Sequence, residues 1–178
     1  MKNNLQDLAS ERAVLASLCQ FGLDSYLEMD FIEESHFTDE MNQLIFSCIY
    51  KVVSENLKVE LSSILSAANT LGMEEVINTK DEISFVRSLF NFPAHKDNAQ
   101  AHAAKLAKLK LARDFKKTIS LCSKDLDSVT GEEDIMDLIS KVENPILDAT
   151  ADIYQSSGNK TELIGDEIDE YLEYLSEN

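Results

Sequence analysis

The sequence is poor in the residues that punctuate turns, with five glycines and two prolines in 178 residues. Average usage of the two together is roughly 12%, and turn-rich β architectures need both to reverse the chain. Their scarcity speaks against a sandwich or barrel and predicts a helical protein. Cysteine is sparse too: Cys19, Cys48 and Cys122 stand far apart within apolar, periodic stretches. Such spacing gives neither a CxxC metal site nor a disulfide framework, so all three are expected to be reduced core residues. No apolar run approaches the roughly 18 residues that span a bilayer, and the start MKNNLQDLAS lacks the apolar centre of a signal peptide. No membrane partner is expected, and the expected location is cytoplasmic. Basic residues are outnumbered, Lys+Arg 16 against Asp+Glu 33, for a net charge of −17. That field repels a nucleic-acid backbone at long range, which speaks against a nucleic-acid-coating module and leaves DNA at most a local contact.

Catalytic motifs are missing as well. A P-loop needs GxxxxGK[ST], glycine-rich backbone to wrap phosphates and a lysine to reach them. Gly158-Asn159-Lys160-Thr161 has Asn159 in place of the glycine before the lysine and Tyr154 in place of the first glycine. His36, His95 and His102 form no HxxxH pair, and no serine sits in a GxSxG elbow. No catalytic residue, cofactor-binding residue or metal ligand is therefore nominated, and the chain is not expected to be an enzyme.

What the sequence has is helical periodicity, and 44% hydrophobic residues to build a core with. Leu8, Val14, Leu15, Leu18 and Phe21 recur at helical intervals between Asp7 and Phe21, with Glu11 and Arg12 expected to point elsewhere. A short segment around Tyr26, Leu27 and Met29 follows. Thr38 is placed to cap a helix whose stripe is Met41, Leu44, Ile45, Cys48, Ile49 and Val52. Leu61, Ile64, Leu65, Ala68 and Leu71 mark another, ended by Gly72 in the left-handed position. The run Ile83, Phe85, Val86, Leu89, Phe90 and Phe92 before Pro93 reads as a helix packed on several sides, with a buried strand as the alternative.

The second half changes character. A helix of about 30 residues is predicted from Asp97, with Gln100 as its reciprocal capping partner, to about Leu126. Its stripe is Ala112, Phe115, Ile119, Cys122 and Leu126. After a turn at Asp127–Gly131, Thr130 and Glu133 make a capping box for a second arm, with the stripe Ile135, Ile139, Val142, Ile146, Ala149 and Ile153. Alternating steps of three and four are those of a coiled-coil seam, and the short connection makes the arms antiparallel. Asn144-Pro145 should kink or restart the second arm. QSSGNK (155–160) reads as a linker, and beyond it Ile164, Ile168, Tyr171, Leu172 and Leu175 share one face of a last helix that carries seven acidic residues and no basic one. A helix of about 15 residues is marginal alone in water, so docking on another domain or subunit is expected. Lys96, Lys105, Lys108, Lys110, Arg113, Lys116 and Lys117 concentrate positive charge on the first arm. A solvated face, an acidic neighbour or passing DNA would each account for them.

The predicted fold is all-α: a globular helical head at 1–96, a helical hairpin at 97–154, a flexible linker at 155–161 and a linker helix at 162–178. LASERAVLASL (Leu8–Leu18) resembles the first helix of DnaB-type replicative helicases, where a Glu-x-Ala-Val-Leu core opens the domain. Phe37 and then Asn42-Gln43-Leu44-Ile45-Phe46 are similar to the family's aromatic followed by His-x-x-Ile-Phe, with Asn42 in place of histidine. LKVELSSILSAANTLG (Leu57–Gly72) is similar to the next family segment. Pro93, Asn98, His102-Ala103 and Arg113 keep the spacing of a Pro, Asn, Tyr-Ala and Arg pattern, with His102 in place of tyrosine. Together these cover residues 8 to 113, and the departures suggest a remote, viral-type member, for which the expected location is the host cytoplasm. The resemblance implies an assembly and docking domain that binds no nucleotide, with ATP and Mg expected in a motor domain that would follow Asn178. Implied partners are sister copies from dimer to hexameric ring, a primase, a helicase loader, and DNA through the parent ring. Subunit contacts are expected from Phe115, Ile119, Leu138 and Ile139, and from Leu106, Leu109 and Leu121, which fall off the predicted hairpin stripe. The terminal face from Ile164 to Leu175 would dock on an adjacent motor. The alternative is a stand-alone helicase-binding adaptor, such as the C-terminal domain of a primase.

Overall fold

The computed structural model describes residues 5–156, with side chains through 151. Residues 157–161 of the expected linker, and the terminal helix with Ile164, Ile168, Tyr171, Leu172 and Leu175, lie outside the described residues. The helices in chain order are α1 (Leu8–Phe21), α2 (Leu23–Leu27), α3 (Glu40–Ser54), α4 (Leu61–Thr70), α5 (Glu74–Ile77), α6 (Lys80–Phe90), α7 (Lys96–Leu126) and α8 (Ile135–Ser156), with a 3-10 turn at Glu34–His36. There is no strand among the described residues, so the run from Ile83 to Phe92 is the helix α6 and its end rather than a strand. No helix among them is long and apolar enough to cross a membrane. The chain forms two compact units, Met1–Arg113 and Asp114–Asn178, so that the boundary falls inside α7.

In the first unit, the head, α1 packs against α2, α3 and α6, and α3 packs against α4. The expected one-sided stripe on α1 is corrected by burial: all six residues from Val14 to Cys19 are buried, while Leu8 and Phe21 at its ends are exposed. A helix covered on several sides needs small residues where neighbours approach and partners for its polar atoms. Ala16 supplies the first, and the Ser17 hydroxyl, 2.7 Å from that of Ser25, supplies the second. By contrast, α3 shows the one-sided pattern: Ile45, Cys48, Ile49 and Val52 are all buried.

The ends of the head helices are set by local chemistry. Asp7 caps α1 by accepting from the Ser10 amide. Asp39, and not Thr38, caps α3, because the Thr38 hydroxyl is already donated to Glu11. Gly22 joins α1 to α2 at φ +57°, ψ −129°, a conformation that disfavours any residue with a Cβ. Gly72 takes φ +72° just past α4, as its position in the sequence required.

The second unit holds the end of α7, a turn and α8, the two predicted hairpin arms. The turn is tied by Glu133, whose carboxylate accepts the backbone N–H groups of Thr130 (2.9 Å) and Gly131 (2.8 Å). Those bonds, the Thr130 one first, hold its carboxyl down at about 2. The predicted box thus closes the turn, and α8 begins two residues later at Ile135. Pro145 lies inside α8, which is continuous from Ile135 to Ser156 rather than restarting at the proline.

Candidate assembly surface

Burial separates the two units sharply. The head contains a continuous apolar core, and α7 contributes Ala99, Ala103 and Leu106 to it. Along residues 114–151 the only buried side chain is Cys122. The better-covered positions, Phe115, Thr118 and Cys122 on α7 and Leu138, Val142, Pro145 and Ala149 on α8, recur at steps of three and four, so each arm shelters one narrow face. Outside that face α8 remains strongly apolar: Ile135 is 72% exposed, Ile139 46%, and Met136, Ile146 and Leu147 are also exposed. Ile135, Leu138, Ile139 and Val142 line a shallow groove with Glu143 at its edge. Isolated exposed leucines are ordinary, but an apolar row on a helix marks a contact surface.

The residues nominated from sequence for subunit contact divide on this map. Ile119, Leu121 and Ile139 are exposed, and Leu109, Phe115 and Leu138 are partly covered. Leu106 is corrected: at 1% exposure it belongs to the head core and has no surface to offer a partner. It lies off the hairpin stripe because the proximal part of α7 packs on the head.

The basic residues of α7 divide in the same way. Lys96 pairs with Glu28 at 2.8 Å, and that bond raises its pKa. Lys105 pairs with Asp7, and this bond foremost holds the Asp7 carboxyl down at about 2. The Arg113 guanidinium donates to three carbonyls, those of Leu5 (3.0 Å), Ser35 (3.1 Å) and His36 (3.1 Å). A planar fork of donors suits that task and an ammonium does not. Lys96, Lys105 and Arg113 therefore bind the head itself, while Lys108, Lys116 and Lys117 are exposed.

Two charged residues of α1 were expected to face away from the core, and both are corrected. Glu11 is fully buried, accepting from the Thr38 amide at 2.8 Å and the Asn42 side-chain amide at 2.8 Å. Arg12 lies over the rings of Phe85 and Phe92 and donates to Ser88. Asn98 and His102, with Ala9, Phe92 and His95, line a small pocket of the head, and the His102 ring meets the Ser10 hydroxyl at 3.0 Å. Among the described residues no group of three or more His, Cys, Asp or Glu side chains is placed to hold a metal.

The family model described as the DnaB-like helicase N terminal domain matches residues 3–108. The chain belongs to that family. The crystal structure of the N-terminal domain of DnaB helicase from Mycobacterium tuberculosis is similar, with a TM-score of 0.65 at 16% identity over 80% of this chain and 97% of that one. A comparison with curated protein sequences finds no match. The two departures from the DnaB-like pattern, Asn42 and His102, are polar positions facing α1: one serves Glu11 and the other Ser10. In this DnaB-like domain they join elements of the head.

Proposed function

We propose that this DnaB-like domain is the assembly and partner-docking part of a hexameric replicative helicase, and that the exposed face of α8 is where sister copies meet. The observation that carries this reading is the row Ile135, Ile139 and Ile146, apolar and exposed on an arm with almost no core of its own. Fully burying such a side chain is worth roughly 1.5–3 kcal/mol, against an association cost estimated at about 4–15 kcal/mol. Three to five of them sustain a concentration-dependent pair and not a permanent one, and a larger ring then needs further contacts.

Membership of the family supports further, coupled roles in this reading. The chain contains no GxxxxGK[ST] run, so ATP and Mg belong to a motor domain in the parent helicase. The segment with Ile164, Ile168, Tyr171, Leu172 and Leu175 would tether this domain to that motor. A primase and a loader would dock on the assembled collar, and DNA would pass through the ring.

Light scattering of the full chain over a range of concentrations tests the α8 contact. The mass should rise with concentration in the parent chain, and Ile139→Asp should weaken self-association about tenfold or more while the head unfolds at an unchanged temperature. A monomer at every concentration sinks the reading.

A further inference from the structure

We propose that the acidic aromatic patch on the head of one copy receives the basic distal strip of α7 from a second copy. The proposal rests on the self-association reading but uses surfaces separate from the α8 face.

On the head, an aromatic series climbs from the core to the surface. Buried Phe37 lies 5.0 Å from Phe46, Phe46 stacks at 6.3 Å on Tyr50, and Tyr50 meets Tyr26 at 5.7 Å. Tyr50 is nonetheless 48% exposed, so it is a ring already held in place, with little rotamer freedom left to lose on binding. Beside it on α2, Leu23 is a neighbour of both Tyr26 and Leu27 by helical spacing, and both leucines are exposed, Leu27 at 63%. The surrounding sequence is acidic, with seven Asp or Glu and no Lys or Arg from Ala13 to Tyr50, and the cations that reach it from outside, Lys96 on Glu28 and Lys51 on Glu55, are each taken up in an ion pair. Tyr26 feels this directly, since burial first, then Tyr50, Asp30 and Glu33, raise its pKa. Large apolar side chains with an excess of carboxylates around them fit a partner helix that is both apolar and basic.

The chain carries such a helix. Eight of its sixteen Lys and Arg lie between Lys96 and Lys124, against two acidic residues. The row that puts Ala99, Ala103 and Leu106 into the head core, and Arg113 onto head carbonyls, continues at the same steps of three and four as Lys117, Leu121 and Lys124. There it is exposed, Leu121 at 51%, and neither lysine has an ion pair among the described residues. At a net charge of −17, two copies repel unless their contact brings opposite signs together. Head patch and α7 strip supply that match, and each copy has one of each, so a two-fold pair makes the contact twice.

A charge swap in the full chain tests this, read by analytical ultracentrifugation at low and high salt. Lys117→Glu with Lys124→Glu in one variant, and Asp24→Lys with Asp30→Lys in another, alter exposed side chains and should leave thermal unfolding of the head unchanged. Each variant alone should self-associate about tenfold more weakly than the parent chain at low salt. Mixing the two should restore association, because the reversed strip then meets the reversed head. Unchanged association in either variant, or a mixture no stronger than its components, overturns the proposal. Repeating the swap in an Ile139→Asp background separates it from the α8 contact: the salt-dependent, swap-rescued part should persist there. Loss of association on Ile139→Asp with no response to the swap leaves the α8 reading intact and removes this one, and a strictly monomeric parent chain removes both.

Discussion

The Asn42 side chain on α3 donates its amide to the carboxylate of Glu11 on α1 at 2.8 Å, and both residues are buried. The same carboxylate takes the Thr38 amide and hydroxyl, so its charge is met by donors gathered at the start of α3, the positive end of that helix. A buried acid in the first helix is thus the bolt between α1 and α3.

Removing it should be expensive. Glu11→Ala leaves the buried Asn42 donor and the half-buried Thr38 donors without a partner, each worth about 1–3 kcal/mol when buried, and urea unfolding should register a loss of roughly 3 kcal/mol. Glu11→Gln keeps the shape but turns an amide toward those donors, and should cost less than the alanine variant. A loss below about 1 kcal/mol for Glu11→Ala would show that the bolt is dispensable.

Arg113 ties α7 to the head through three carbonyls. Arg113→Lys cannot reproduce a fork that reaches Leu5, Ser35 and His36 together. It should lose most of what Arg113→Ala loses, about 2 kcal/mol of head stability in chemical denaturation. Near-complete retention in the lysine variant would mean that charge, not geometry, fixes the helix.

Asp7 adds a pH dependence of known sign. Its carboxyl lies at about 2 in the folded chain against 3.8 for the free group, the Lys105 bond being the largest cause. A lowered folded pKa stabilises the protein above the unfolded value, so the contribution is present above about pH 4 and disappears as pH falls toward 2. With solvent screening it should amount to no more than about 1 kcal/mol. Asp7→Asn retains a capping oxygen, and its stability should decline less between pH 4 and pH 2 than that of the parent chain. Parallel pH profiles would refute the assignment.

The cysteines report local opening. Burial pushes the Cys19 thiol up to about 12 and the Cys48 thiol up to about 11, so neither offers thiolate at pH 8. Cys122 is buried too, but no other described side chain from 114 to 151 is, and a unit with so little core opens at low cost. Iodoacetamide labelling followed by mass spectrometry should modify Cys122 first. Earlier modification of Cys19 would place the weak point in the head.

The helical class and the order of the elements were legible because a one-sided helix writes its burial into its spacing, as Ile45, Cys48, Ile49 and Val52 do on α3. That signal fades where a helix is surrounded. On α1, six consecutive buried residues show no stripe, and the two charges are expected to point elsewhere because their partners, Asn42 and Phe92, lie 31 and 80 positions away. Capping was read one residue early because the Thr38 hydroxyl answers to Glu11 rather than to α3. Leu106 was misplaced because α7 changes neighbours along its length, and periodicity records that a face is covered without recording by what. The exposed α8 row was readable as apolar; that most of it faces solvent was not, since one stripe serves equally for a partner in the same chain or in another.

An arm with no buried side chain among those described has little to hold its backbone hydrogen bonds shut when the chain is dilute. Protection of the α8 amides against deuterium exchange then becomes a gauge of neighbours present, rising as the sample is concentrated while the head's slow amides stay where they are.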